Sequence, residues 1–411
     1  MPSFRQQLVI FTTLSLVCLF FFYSGAYTNE LWERTPDFSQ YAPTRTLSRS
    51  EFPVDDSMKR VIIFGDIHGM NEPFHHLLKK AKYRPEVDTL IHAGDIIAKG
   101  PHSGSMDVIG YMAAHNVTGV RGNHDQKIVE WRAWQDWIAT LPGGGRWLND
   151  LYAALDLAEP DDPEAWAVKY CKHGDNKRWA QRIPAGWKML GDHYRIARAL
   201  TTAQYDYLRS LPLVLHVPSA HTFITHAGLL PSDPRYRPTH SRQPLAHVPS
   251  IPTAWLKSGT GSYGKEADSD SIEMLRHLQE IAILRDVPQN SDPWVTLNMR
   301  GVLDDHSITR DTDGTPWAEI WNRDMEMCAG FGSAAHGKKL PCHPASVIYG
   351  HAASRGLDPK RWSTGLDSGC VKGKRLSAMI IEAKTYKQSF DAAKATVPFG
   401  IGSARLLSVA C

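Results

Sequence analysis

The sequence predicts an α/β fold, and three observations carry that prediction. Short apolar or β-branched runs, each closed by a Gly/Asp/His turn, recur at residues 61–64, 89–93, 117–120, 222–225 and 346–349. Helical patterns at 71–81 and 105–115 separate the first three, which is the strand, helix, strand order of α/β proteins. The polar turns all follow the runs, at the C-terminal strand ends where α/β sheets place their ligands. The 411 residues are 42% hydrophobic and 22% charged, enough to bury a core. That balance excludes an intrinsically disordered chain and a polytopic membrane protein. The net charge of +3 argues against nucleic-acid duplex binding by bulk charge.

The elements follow in order. Residues 8–27 open with an uncharged apolar run, LVIFTTLSLVCLFFFY. Some 20 such residues make roughly 30 Å of helix, enough to cross a bilayer. Arg5 precedes the run, and Glu30 and Glu33 follow it, so residues 1–7 are expected in the cytosol and the rest in a lumen. A cleaved signal peptide is the alternative, since Ser24-Gly25-Ala26 has the small residues of a cleavage site. Either route delivers the chain to a secretory compartment, and the sequon Asn116-Val117-Thr118 agrees with it. Residues 28–58, with Pro36, Pro43 and Pro53, read as a linker. Residues 59–385 read as the catalytic domain, interrupted by a Trp-rich helical insert at 127–212 that suits packing more than binding. A helix is expected near 270–285, and 386–411 reads as a C-terminal tail. Cys328 and Cys342 flank a Gly-rich stretch and are either a disulfide or two free thiols; Cys370 reads as packing.

The turns hold the chemistry. Gly65-Asp66-Ile67-His68-Gly69 presents a carboxylate and an imidazole on one side of an extended segment. Gly94-Asp95 follows, with Lys99 four residues on; Asp95 has two oxygens and can bridge two ions. Arg121-Gly122-Asn123-His124-Asp125 adds an amide beside a histidine, and His226 and His351 each stand alone at a strand end. A lone strand-end histidine or Gly-Asp turn is ordinary structure. Five in succession offer Asp66, His68, Asp95, Asn123, His226 and His351 together. Mixed oxygen and nitrogen donors of this kind suit two divalent ions of Zn, Mn, Co or Fe.

In order, these motifs resemble the calcineurin-like metallophosphoesterases of the phosphoprotein-phosphatase superfamily. The resemblance covers about residues 59–385. It implies two mixed sheets flanked by helices, an αββα-type sandwich. It also implies one metal on Asp66, His68 and Asp95, a second on Asp95, Asn123, His226 and His351, and His124 as the general acid. Lys99 and Arg300 match phosphate-contacting positions, and Arg121 is a further candidate. Protein Ser/Thr phosphatases have Asp-Arg where this chain has Ala98-Lys99, and Glu where it has Asp125. The pattern is closer to the ApaH-like branch, named for bacterial diadenosine tetraphosphatase. So are Gly350-His351-Ala352-Ala353-Ser354, Gly365-Leu366-Asp367-Ser368-Gly369-Cys370 and Asn298-Met299-Arg300. The carboxylate missing at Ala98 orients the catalytic histidine in protein phosphatases, so here something else must.

A two-metal site suits in-line attack of water on phosphorus. Around His351, residues 338–375 hold eight basic residues against Asp358 and Asp367, which suits a long polyanion. Membrane-anchored fungal members of the branch cleave inorganic polyphosphate internally, and that is the first expectation. The alternatives are a dinucleoside polyphosphatase or cap pyrophosphatase, and a Ser/Thr protein phosphatase.

Overall fold

The computed structural model describes residues 35–251, 265–387 and 396–411. The expected anchor at 8–27 and the tail at 1–7 lie outside the described residues. Among the described residues no helix is long and apolar enough to cross a membrane.

Two six-stranded mixed sheets form the frame. One runs β1 (Ala42–Thr46), β5 (Pro212–Val217), β6 (Thr222–Thr225), β10 (Ser346–Tyr349), β12 (Ser363–Gly365), β11 (Asp358–Pro359). The other runs β14 (Thr396–Phe399), β15 (Gly402–Ala410), β13 (Arg375–Glu382), β2 (Arg60–Phe64), β3 (Asp88–His92), β4 (Thr118–Gly119). A small sheet of β7 (Gly301–Val302), β8 (Ile308–Thr309) and β9 (Thr315–Pro316) stands apart. β2, β3 and β4 are parallel, as are β6 and β10. This is the α/β arrangement of mixed sheets and helices that the sequence predicts.

Period-two alternation decides which face each strand residue buries. Val61, Ile63, Ile91, Leu215, Ile224, Ile348 and Met379 meet in one core that draws on both sheets. The intervening Phe64 turns the other way, against Phe74 of the helix Asn71–Ala81, with ring centres 5.2 Å apart. Phe223, Val347 and Tyr349 face a second core with Trp317 and Trp321 of the helix Trp317–Glu326.

Three expectations need correction. Residues 35–58 are not a free linker: β1 pairs with β5, and Leu47, Phe52 and Val54 are buried in the shared core. The stretch after 386 is not a tail, because β15 pairs with β13 over six residues and carries β14 on its far side. Cys370 is not simply packed, for it forms a disulfide with Cys411. Cys328 and Cys342 form the other disulfide, and Cys171 is free. The helical insert divides. Asp136–Gly191 and residues 35–38 belong to one compact unit, where Trp147 stacks on Trp179 and Phe38 packs on Trp137 and Trp187. Residues 39–135 and 192–411 form the other unit, and there Trp131, Trp134 and Tyr194 pack edge to face.

Candidate metal centre

The C-terminal ends of β2, β3, β4, β6 and β10 carry the five motifs, and the chain bends sharply after each. His68, Asp95 and His351 have φ of 49°, 48° and 64°, a left-handed backbone that non-glycine residues rarely adopt. Strain of this kind persists where surrounding structure enforces it, commonly at functional sites. Two glycines allow the loops to close. A Cβ on Gly122 would lie 2.1 Å from Asp95 Oδ1, and one on Gly350 would lie 2.1 Å from Asp66 Oδ1. Asp125 staples two of the loops, accepting from the Ile96 and Gly122 amides at 3.2 and 2.9 Å. Burial, followed by Asp95, pushes its carboxyl up to about 7.

All six expected ligands come together. His68 Nε2 stands 3.8 Å from both Asp66 Oδ2 and Asp95 Oδ2. Asp95 Oδ2 is 3.3 Å from His226 Nε2. Asn123 Oδ1 is 3.0 Å from both His226 Nε2 and His351 Nδ1. Asp95, His226 and His351 form one group of converging donor atoms, and Asp66, His68 and Asp95 form another.

The donor set fits two cations. His226 Nδ1 donates to the Ala93 carbonyl at 2.9 Å, and His351 Nε2 to the Asn298 carbonyl at 3.2 Å. Each imidazole in its neutral form therefore turns a bare lone pair inward, and the two inward nitrogens are 3.2 Å apart. Lone pairs that face one another need a proton or a cation between them. The carboxylates tell the same story. Burial raises the Asp66 carboxyl well above the usual carboxylate range, and Asp367 and Asp95 raise it further. Burial also opposes charge on Asp95, but His226, His124 and His68 outweigh it and hold that carboxyl well below its usual range.

His124 borders this group. Its ring meets that of His68 edge to face at 5.4 Å, and its amide donates to Asp95 Oδ1 at 2.9 Å. Burial pushes its pKa down to about 3. Lys99 is exposed, on a turn where Ala98 and Lys99 have φ of 73° and 70°. Arg300 is half-buried; Nη2 donates to the His351 carbonyl at 3.2 Å and Nη1 to the Arg310 carbonyl at 2.7 Å, while Nε is buried without a partner.

Arg121 does not belong with them. It is fully buried, and its guanidinium donates to the Gln40 and Arg209 carbonyls and, at 2.8 Å, to Gln126. It ties β1 to the loop after β4 and has no reach to a phosphate. The basic stretch 338–375 also disperses. Arg355 donates to the Arg300 carbonyl at 2.7 Å, but Lys360 pairs with Asp358, and Arg361 lies over Trp362.

Three residues near the site escaped sequence reasoning. Asp367 sits inside a motif but was no ligand candidate, and Arg355 was one basic residue among eight. His193 belongs to no motif; its Nε2 lies 2.8 Å from His124 Nδ1. A cavity of about 1180 Å³ lies elsewhere, between Arg235, Arg237, Leu303, Arg323 and Lys338. It includes none of the converging ligands.

A family model for calcineurin-like phosphoesterases matches residues 59–296. A serine/threonine-protein phosphatase 1 of Salmonella typhimurium is 33% identical over 95 residues, 23% of this chain and 43% of that protein. A symmetrical bis(5'-nucleosyl)-tetraphosphatase of Salmonella arizonae is 42% identical over 69 residues, 16% of this chain and 24% of that protein. The matched stretch thus spans less than half the length of these curated relatives. A solved structure described as a candidate diadenosine tetraphosphatase aligns over 90% of this chain and 98% of its own, at 22% identity and a TM-score of 0.44.

Proposed function

The chain belongs to the calcineurin-like phosphoesterases, a family of metal-dependent hydrolases, and on that premise we propose that it hydrolyses phosphoanhydrides, with inorganic polyphosphate in a secretory lumen as its substrate. The observation that carries the anhydride reading is the environment of His124. At Ala98 there is no carboxylate, and the group bonded to His124 Nδ1 is a second imidazole. A neutral partner gives less support to an imidazolium than a carboxylate does, so His124 suits leaving groups that need little help from an acid. Phosphoanhydrides are such groups.

The residues divide the work. Asp66, His68 and Asp95 would hold one divalent ion, and Asp95, Asn123, His226 and His351 the other. Bound there, the ions supply Lewis acidity toward phosphoryl oxygens and toward water. The Ala93 and Asn298 carbonyls fix the imidazoles, so that Nε2 of His226 and Nδ1 of His351 face inward. Arg300, whose Nη atoms donate to the His351 and Arg310 carbonyls, brings fixed positive charge beside His351, and Lys99 a mobile point charge. His124 meets the leaving oxygen. Arg355, whose Nη2 donates to the Arg300 carbonyl at 2.7 Å, adds a second guanidinium near the His351 loop, which favours a substrate with more than one phosphate. Two disulfides support an oxidising lumen, which agrees with the apolar run at 8–27 as an anchor or a signal peptide.

A second reading is a dinucleoside polyphosphatase. The 42% identity to the tetraphosphatase over 69 residues favours it. So does Trp294, which is 44% exposed and one turn from Asn298, whose carbonyl holds His351. The test is an assay of the purified full chain with Mn, Zn or Co and long-chain polyphosphate, diadenosine tetraphosphate or a phosphopeptide. The expected result is polyphosphate cut to gel-sized fragments before free phosphate appears. Activity on the dinucleotide alone replaces the first reading with the second, and activity on the phosphopeptide alone removes both.

A further inference from the structure

His193 opens the helix Asp192–Ala199, far along the chain from the motif that contains His124. Its Nε2 is 2.8 Å from His124 Nδ1, and the two rings lie within 1° of one plane with centres 5.1 Å apart. So short a contact at that centre separation means the rings meet edge to edge, nitrogen to nitrogen, and do not stack. This is the linear, in-plane geometry of a full hydrogen bond. The preceding residue fixes the helix start to the same loop: Asp192 Oδ2 accepts from the Lys99 amide at 2.7 Å. That amide belongs to the turn where Ala98 replaces the carboxylate.

We propose that His193 is the positioning residue for His124, holding the Nδ1–H tautomer and the ring angle that turn Nε2 toward the leaving oxygen. The assignment rests on the reading of His124 as the group that meets that oxygen. Only a neutral His193 can accept the bond, with its own proton on Nδ1. Its surroundings keep it so: burial pushes its pKa down to about 4, and although Asp192 opposes this, Lys99 adds to it. Proton delivery then balances simply. His124 keeps its Nδ1 proton on His193, takes up a proton at Nε2 from water, passes it to the departing oxygen and returns to its neutral form. The arrangement supplies orientation without charge.

The test uses the full chain and three variants, His193→Ala, His193→Gln and His124→Ala, with the His124→Ala/His193→Ala double. Two aryl phosphates separate the effects, 2,4-dinitrophenyl phosphate with a good leaving group and phenyl phosphate with a poor one. His193→Ala is expected to lower kcat on phenyl phosphate by about 100-fold, the lower end of what a general acid contributes, with KM little changed. On dinitrophenyl phosphate the loss is much smaller. His193→Gln, which keeps an acceptor near the place of Nε2, recovers most of the phenyl phosphate rate. The double variant falls no further than His124→Ala, as expected of residues acting as a unit. Nitrogen NMR of labelled histidine supplies a readout independent of turnover: His124 carries its proton on Nδ1 in the parent and loses that preference in His193→Ala. Equal losses on both esters, additive losses in the double variant or an unchanged His124 tautomer would each overturn the assignment. A parent that cleaves no phosphate compound removes the functional reading, and the tautomer measurement then decides the positioning role alone.

Discussion

Among the described residues two buried histidine-rich groups stand out, and of the two one is arranged for a metal. At the strand ends, Asp95, His226 and His351 converge; near the far end of β5, His216, His277 and Glu280 converge as closely. The difference lies in donors and acceptors. In the distal group Glu280 accepts from His216 Nε2 at 2.7 Å and from His221 Nδ1 at 2.8 Å. The N–H groups of His216 and His221 both end on this carboxylate, which ties the helix Lys265–Asp286 to β5 and to the turn before β6. At the catalytic end the N–H groups point away to carbonyls. Lone pairs and carboxylates are left facing each other, the arrangement that bound cations relieve. Clustering alone therefore does not identify a metal site; the direction of the hydrogens does.

The comparison breaks most easily at His351. His351→Ala is expected to cut activity roughly 1000-fold or more, because the charge that neutralises the phosphoryl oxygens goes with the second ion. Metal analysis of the purified variant should find one ion fewer than in the parent. Glu280→Ala should leave both metal content and kcat unchanged. If Glu280→Ala lost an ion, the distal group would be a metal site after all.

Glu280→Ala instead tests the second group as structure. Glu280 is 1% exposed, and its removal leaves the buried His216 Nε2 and the partly buried His221 Nδ1 without their acceptor. Leaving a buried donor without its acceptor costs about 1–3 kcal/mol. Urea unfolding should show that loss as a lower midpoint with an unchanged slope. A loss under about 1 kcal/mol would mean that the helix is held by its apolar contacts, Ile283 and Val287 among them.

The two groups also differ in how far the sequence reveals them. The six ligands were legible because each stands in a short Gly-flanked turn directly after an apolar run, so local pattern and function coincide. The distal group has no such signature: His216 lies within a strand, and Glu280 comes from a helix that the turn pattern does not reach. His193 was illegible for a related reason. It lies within the helical insert at 127–212, and nothing local shows that Asp192 pins it to the Lys99 turn. β1 was read as linker because APTRT has no apolar alternation; it pairs with β5 through its backbone. Arg121 misled because a guanidinium beside Gly-Asn-His looks available, whereas three internal acceptors consume it. The pairing of Cys370 with Cys411 depends on β15 returning alongside β13, a long-range register that spacing does not encode.

The smallest expected effect separates the groups by pH. Burial pushes His216 down to about 4. Above its ordinary value of 6.5 the histidine is neutral in both folded and unfolded chains and adds no pH dependence. Between 6.5 and 4 the unfolded chain takes up a proton that the folded chain refuses, so stability falls as pH falls, by up to about 1.4 kcal/mol per unit. Glu280 acts in the opposite sense. Burial is the main force that raises its carboxyl, while His221 and Arg276 pull it back, so its protonation favours the folded chain as pH drops through the raised value. Thr46, His277 and Glu273 complete the surroundings, and of these only Thr46 reaches His216 with a hydroxyl, at 3.5 Å. Replacing His216 by Gln keeps a donor near Glu280 and removes one titrating group. From pH 6.5 to 5 the parent should therefore lose about 1.6 kcal/mol more than His216→Gln, read from urea midpoints at each pH. Parallel pH curves for the two proteins would mean that His216 takes up the same proton in the folded as in the unfolded chain between pH 6.5 and 5. Glu280 would then hold an ion pair, and the contrast with the catalytic end would rest on charge rather than on the direction of the hydrogens.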